Sequence, residues 1–559
     1  MKGSAGKLLG RGGRFLSGVS LLTLSAVAVK CIGLAYRIPM LRVLGTAGMG
    51  YFNTAYEVYA LLCVLSTAGL PVAMSVLIAG ENGDTRTDCA YIRALSARVF
   101  RVSLLVFCVI GLIGMAVLLF PARMWANLLG NPDAAACIRA VSPAVLAVCL
   151  AGAVRGYFQG LSDMKPTAVS QVIEALGKLL LGLALAYLSA RRGASLPEVS
   201  ASAVTGLTVG TIASAVWLVW HRARYSRSRC GGTDEFSEAC LPDSKTILRR
   251  LAAVALPITV SAGVISLTKC VDLALILRRL QDAGLSHDRA NALYGCYSTL
   301  AVPVFNILPS LSTSVAMSLV PALSGAVRRL RTAESARVRA EAVHQARRTC
   351  AGALGLTLLL AVPAGLGLCT LGGDVLTLLF QGQPEAVSEA TPWLSLLGLA
   401  VPAACLITVT GAMLQATGHA IAPVLSMLAG TSLKIALAYI LLALPDWTML
   451  AAPFSSVCCD TLILLVNCIL LTRFAPDILP SGRVLAGLFL LPVMVAVPAV
   501  WLALRLCACM GAVGNGMTDI LCRLGATVLL YGLFTAAILR MAFYHKKRKG
   551  NSEYEPEKF

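Results

Sequence analysis

Residues 102–120 read VSLLVFCVIGLIGMAVLLF, nineteen positions with no charge and no alternation of apolar and polar residues. At about 1.5 Å per residue, a helix of that length covers nearly the whole of a roughly 30 Å hydrocarbon core. A strand of an outer-membrane barrel would alternate, and this stretch does not. It predicts a membrane-spanning helix. Working outward, comparable stretches recur at roughly 15–36, 53–80, 134–158, 167–190, 200–220, 251–276, 294–321, 350–370, 391–415, 420–443, 449–472, 484–507 and 521–543. The expected fold class is therefore an all-α polytopic membrane protein with about fourteen transmembrane helices. Composition agrees: 57% of the 559 residues are hydrophobic and 13% are charged. A soluble domain carries roughly 25% charged residues, so a soluble enzyme, a disordered scaffold and a secreted disulfide module are excluded. The second, seventh and eighth spans are long, and Pro71, Pro257, Pro303, Pro309 and Pro402 mark expected kinks or tilts.

The net charge is +20, from 47 Lys and Arg against 27 Asp and Glu. In a chain this apolar, that excess reads as orientation charge rather than as a nucleic-acid surface. With the N-terminus inside and the spans alternating, 31 basic residues fall in inside segments and 8 in outside segments. The bias predicts that both termini are cytoplasmic. The first apolar stretch resembles a signal peptide but runs on to Tyr36 without a small-residue cleavage site, which predicts an uncleaved first helix. The Arg-rich segment 322–348 is expected to form an amphipathic surface helix on anionic phospholipid. The 19 cysteines lie mostly inside apolar runs and read as small buried residues, not as disulfides or metal ligands.

An internal repeat organises the spans. Val72-Ala73-Met74-Ser75 recurs as Val315-Ala316-Met317-Ser318. Gln159 and Lys178, nineteen residues apart, recur as Gln415 and Lys434 with the same spacing. Lys30-Cys31 matches Lys269-Cys270. Offsets of 243, 256 and 239 residues place six spans between partners, and an even number keeps the orientation. The expectation is two parallel-repeat six-helix bundles plus two C-terminal helices. The expected divisions are 1–222 and 249–472 for the bundles, 223–248 for a cytoplasmic linker, 473–543 for the appended helices, and 544–559 for a basic then acidic tail. A parallel two-bundle design points to a transporter.

Ionisable residues within spans are costly, so they face a cavity or pair with one another. Lys30 and Arg37 are seven apart on one face of the first span, and Arg42 follows. Lys269 and Asp272 are three apart on the seventh. Glu174 and Lys178, four apart on the fifth, are expected to form a structural pair. Lys30, Arg37, Arg155 and Lys434 read as uncompensated cations, with Glu57 the main acid near them. Lys30, Arg37, Arg42, Glu57, Arg155, Gln159, Lys269 and Lys434 form the expected substrate-binding set. Such a set suits a phosphate or diphosphate, which arginine grips with two parallel N–H donors. Snorkelling is the competing account of Arg139 and Arg155. The chain carries no GxxxxGK[ST] loop, no HExxH pair and no metal-ligand cluster, so no enzyme and no cofactor is expected.

Three stretches carry a family resemblance. They are Leu34-Ala35-Tyr36-Arg37-Ile38-Pro39, the run Leu65-Ser66-Thr67-Ala68-Gly69-Leu70-Pro71-Val72-Ala73, and Arg155-Gly156-Tyr157-Phe158-Gln159-Gly160 with Lys165-Pro166-Thr167. Together they resemble the stage V sporulation protein B and polysaccharide-biosynthesis branch of the multidrug/oligosaccharidyl-lipid/polysaccharide flippase superfamily, and are similar to lipid II flippases. The resemblance implies a bacterial inner-membrane flippase that moves an undecaprenyl-diphosphate-linked glycan precursor by alternating access. It implies a role in peptidoglycan, polysaccharide or spore-envelope synthesis, with envelope-synthesis proteins as candidate partners. It places Arg37, Arg155 and Gln159 on family motifs. It makes Asp272 the candidate for coupling to sodium, protons or the membrane potential. The alternative is a cation-coupled multidrug exporter of the same superfamily. A third class is a non-transporting scaffold in envelope assembly, in which the cavity charges would be dispensable.

Overall fold

The computed structural model describes residues 2–82, 89–161, 163–229, 242–444, 447–509 and 516–552. Much of the expected linker and the end of the expected tail lie outside the described residues. Among those described there is no strand. The first nine helices are α1 (Lys2–Thr67), α2 (Leu70–Asn82), α3 (Cys89–Leu119), α4 (Ala122–Leu128), α5 (Ala135–Gly160), α6 (Lys165–Arg191), α7 (Leu196–Arg229), α8 (Ser244–Asp282) and α9 (His287–Cys296). A π-helical turn, Tyr297–Ala301, leads into α10 (Val302–Arg331). The rest are α11 (Ala336–Leu379), α12 (Pro384–Ala416), α13 (Ala422–Leu441), α14 (Ala451–Phe474), α15 (Gly482–Cys509) and α16 (Met517–Ser552).

Local chemistry explains where several of these helices begin. Ser286 accepts a hydrogen bond from the Arg289 N–H at the start of α9, and Ser335 does the same for Val338 at the start of α11. Proline stands at the first turn of α6, α12 and α13, where its missing N–H costs nothing. Thirteen helical stretches among the described residues are long and apolar enough to cross a membrane. The first of them, Ile32–Ile78, runs through two expected spans because α1 continues across a kink at Gly45 (φ 64°). A side chain there would meet the left-handed penalty, so glycine sets the bend. The all-α membrane fold with about fourteen spans therefore stands. The surface helix expected over 322–348 does not form. That segment is the end of α10 and the start of α11, joined by a short turn that Ser335 terminates.

The repeat is visible in the element boundaries. Gln159 and Gln415 each occupy the next-to-last position of a helix, α5 and α12. A proline opens the helix that follows each, and Lys178 and Lys434 lie deep within those helices.

The chain forms two compact units, Met1–Thr299 and Leu300–Phe559. The first contains α1 to α9, so α8 and α9 are grouped with it by packing. Its core includes Met74, Ile78, Phe158, Leu218 and Leu251. Within it, α6 and α7 touch backbone to backbone at Gly177 and Gly210. The second unit is built on Leu319, Leu323, Cys350, Met413 and Leu414. There α16 is fastened to α11 by the Arg523–Asp374 ion pair at 2.8 Å and by the Tyr531 hydroxyl donating to the Leu359 carbonyl at 2.7 Å. Both groups would be costly in hydrocarbon without these partners.

Candidate functional site

The bend at Gly45 turns the second limb of α1 back, so polar residues of both limbs face α6, α8 and α9. Arg37, on the first limb, donates through Nη1 to the Ser298 carbonyl at 2.7 Å and towards the Thr299 carbonyl at 3.4 Å. Those oxygens need outside donors. Pro303 has no N–H, so it cannot answer Thr299 in α register or Ser298 in π register. The adjoining side chains are tied as well. Asn53 donates to the Ser298 and Thr299 hydroxyls at 2.8 and 2.9 Å. Asn131 donates to Thr54 Oγ1 at 3.0 Å and to Asn291 Oδ1 at 2.8 Å, and Asn291 donates to the Ala47 carbonyl at 2.8 Å. The crossing is tight enough that a methyl group on Gly295 would press into the Thr46 carbonyl oxygen and lie 2.6 Å from the Gly50 nitrogen.

On the other side of α1, the expected Glu174–Lys178 pair gives way to a different arrangement. Glu174 takes Arg155 of α5 at 3.0 Å. The same guanidinium donates to Ser170 at 2.9 Å and Ser214 at 3.3 Å, joining α5, α6 and α7. Arg155 is thus compensated rather than snorkelling or free. The planar guanidinium, held by three helices, outcompetes the flexible lysine four residues along. Gln159 donates to Thr167 at 3.5 Å. The Lys178 ammonium instead faces three rings of α1, at 4.7 Å from Tyr56, 5.1 Å from Tyr36 and 5.5 Å from Phe52.

Towards α8, the Cys270 thiol donates to the Glu57 carbonyl at 3.3 Å, which sets Glu57 beside Lys269 and Asp272. Glu57 interacts electrostatically with Lys269, Arg37 and Asp272. The structure therefore brings Arg37, Glu57, Lys269 and Asp272 into one electrostatic cluster, with Lys178 close enough to Arg37 to feel its charge. Arg42 is exposed on α1. The Lys30 side chain lies outside the described residues. Lys434 belongs to the second unit, where Asp460 of α14 supplies the acid that its own helix lacks.

The family described as "Polysaccharide biosynthesis protein" matches residues 15–327, more than half of the chain. The chain belongs to the polysaccharide biosynthesis protein family. A second family, MatE, matches residues 298–440. The lipid II flippase MurJ of Bacillus subtilis (strain 168) is 26% identical over 450 residues, covering 76% of each chain. Stage V sporulation protein B of the same organism is 23% identical over 83% of this chain and 84% of that protein. Among solved structures, a lipid II flippase MurJ in an inward closed conformation superposes with a TM-score of 0.67 at 12% identity, covering 94% of this chain and 99% of that one. An inward-facing multidrug resistance MATE family transporter gives 0.56 at 14% identity, over 79% and 98%.

In this polysaccharide biosynthesis family member, several site residues escaped the sequence reading. Asn53, Asn131 and Asn291 carry the buried network at the α1–α9 crossing, yet no charge or periodicity marks them. Their only signal is an amide in an otherwise apolar neighbourhood. Asp460 and the Asp374–Arg523 pair had a clearer signal, since each is an ionisable group in a span. What the cluster offers chemically is a set of cations and acids gathered from α1, α6 and α8 within membrane-length helices.

Proposed function

We propose that this family member is a flippase that moves an undecaprenyl-diphosphate-linked glycan precursor across the bacterial inner membrane by alternating access. The observation that carries this reading is the convergence of Arg37, Lys178 and Lys269 within one unit of a membrane-embedded chain. A diphosphate entering an apolar medium must be met by cations and donors, because an unpaired anion there is prohibitively costly. The named function of the lipid II flippase relative supports the same class. The division into repeat bundles 1–222 and 249–472 supplies the two halves that rock. Asp272 is the coupling residue, because an acid beside Lys269 and Glu57 can exchange a cation or proton as its neighbours reorganise. The MatE match and the acids Glu57 and Asp272 favour one alternative, a cation-coupled multidrug exporter.

Reconstituted vesicles separate these readings. The protein is expected to speed translocation of a fluorescent undecaprenyl-diphosphate glycan and to leave a cationic dye unmoved. Asp272→Asn is expected to keep glycolipid binding but lose any sodium or proton dependence. Transport of the dye without the glycolipid would make the exporter the correct account.

The 31-to-8 bias in basic residues supports a topology in which both termini, and the α10–α11 turn, are cytoplasmic. In a cysteine-free background, Ser335→Cys should resist an impermeant thiol reagent in whole cells and react after lysis. Labelling of intact cells would invert the topology.

A further inference from the structure

The three rings around Lys178 pose a question that neither orientation nor packing answers. Lys178 lies thirteen residues into α6, about 20 Å along the helix at 1.5 Å per residue, hence near mid-membrane. An ammonium there carries three strong donors. No described carboxylate lies within ion-pair distance of it, since Glu174 is bound to Arg155. Its neighbours are the faces of Tyr36, Phe52 and Tyr56. Phe52 and Tyr56 stand nearly parallel, 6.4 Å apart, and Tyr36 closes the cage from the other limb of α1. The cage therefore straddles the Gly45 bend. Beside it, the buried Tyr36 hydroxyl has no hydrogen-bond partner among the described residues. Arg37, the next residue, acts on Lys178 electrostatically.

Ring faces hold a cation by electrostatic attraction but accept no directed N–H hydrogen bond of full strength. A carboxylate would hold it more firmly and would neutralise it. Rings leave the donors available. Two neighbouring cations, the lysine in ion-pair contact with neither Glu57 nor Glu174, and a phenol with no hydrogen-bond partner among the described residues together match an oxyanion.

We propose that Lys178 is a phosphate-binding residue of the transport site, held in the Tyr36–Phe52–Tyr56 cage until the diphosphate of a lipid-linked substrate draws it out. This rests on the flippase reading above and names the atoms that would meet the head group. On binding, the ammonium exchanges ring faces for phosphate oxygens shared with Arg37. The Tyr36 hydroxyl is then able to donate to the same anion. Because the rings come from both limbs of α1, emptying the cage releases α6 from both sides of the bend.

The test follows the ammonium itself. Lysines of the full-length protein in lipid nanodiscs are dimethylated with ¹³C, and Lys178→Arg identifies the Lys178 resonance. Three ring currents should displace that signal upfield of ordinary lysines. Undecaprenyl diphosphate should move it to the ordinary position, and undecaprenol should not. Movement with inorganic diphosphate as well would assign recognition to the phosphates and support the proposal equally. Lys178→Met should weaken undecaprenyl diphosphate binding roughly tenfold or more, the scale of one lost charged hydrogen bond. A Lys178 signal that stays put while the protein binds undecaprenyl diphosphate overturns the proposal and leaves the flippase reading intact. Absence of binding by the unaltered protein overturns both.

Discussion

Arg37→Ala is expected to abolish complementation of a flippase-deficient strain. Two losses coincide at this residue. The Ser298 and Thr299 carbonyls lose the donor that meets them at 2.7 and 3.4 Å, and a cation leaves the cluster. Leaving buried carbonyls unanswered costs about 1–3 kcal/mol, and losing the charged partner of a desolvated anion costs roughly 2–5 kcal/mol of binding. Arg37→Lys should rescue only in part, because one ammonium cannot address two carbonyls and a phosphate in the fixed directions of a guanidinium. Thermal stability separates the two losses. The carbonyl loss lowers the melting temperature, whereas loss of substrate contact removes stabilisation by added lipid. Arg139→Ala is the control. Arg139 is exposed, so its removal should be mild. Full complementation by both Arg37→Ala and Lys30→Ala, at normal expression, would remove the phosphate-binding account and leave orientation charge.

Gly295→Ala is expected to destabilise the first unit strongly. The new methyl would press into the Thr46 carbonyl and approach the Gly50 nitrogen at 2.6 Å. Both are backbone atoms, which cannot rotate away as a side chain can. Overpacking usually costs about 1–3 kcal/mol, and rigid neighbours put this site at the upper end. Separating α1 from α9 would also stretch the Asn131–Asn291–Ala47 chain, so buried amides lose partners together. Thermal unfolding in detergent measures the change. Gly325→Ala serves as the comparison, since nothing stands within 4 Å of a methyl there. It should be neutral or slightly stabilising, by about 0.5–1 kcal/mol. Equal stability of Gly295→Ala and the parent would show that the crossing is loose.

The sequence by itself determined the all-helical membrane fold, the approximate spans and the repeat. These depend on properties counted residue by residue: apolar length against bilayer thickness and the recurrence of Gln and Lys at fixed spacing. The solvent enforces them locally, because every backbone group in hydrocarbon must be bonded within its own helix. The sequence also singled out Arg37, Glu57, Lys269 and Asp272, since any ionisable group in a span is conspicuous. Partner choice was decided only by the tertiary structure. Spacing along one helix favoured Glu174 with Lys178, but Arg155 from α5 reached Glu174 with the help of Ser170 and Ser214. Lys434 looked solitary on its own helix until Asp460 approached from α14. The aromatic cage and the amide network likewise join residues far apart in the chain. A buried polar group is satisfied by whichever complementary group lies nearest in space, and that depends on how each helix is rotated and where it crosses its neighbours. Those quantities are set by side-chain packing between helices, which no single span encodes.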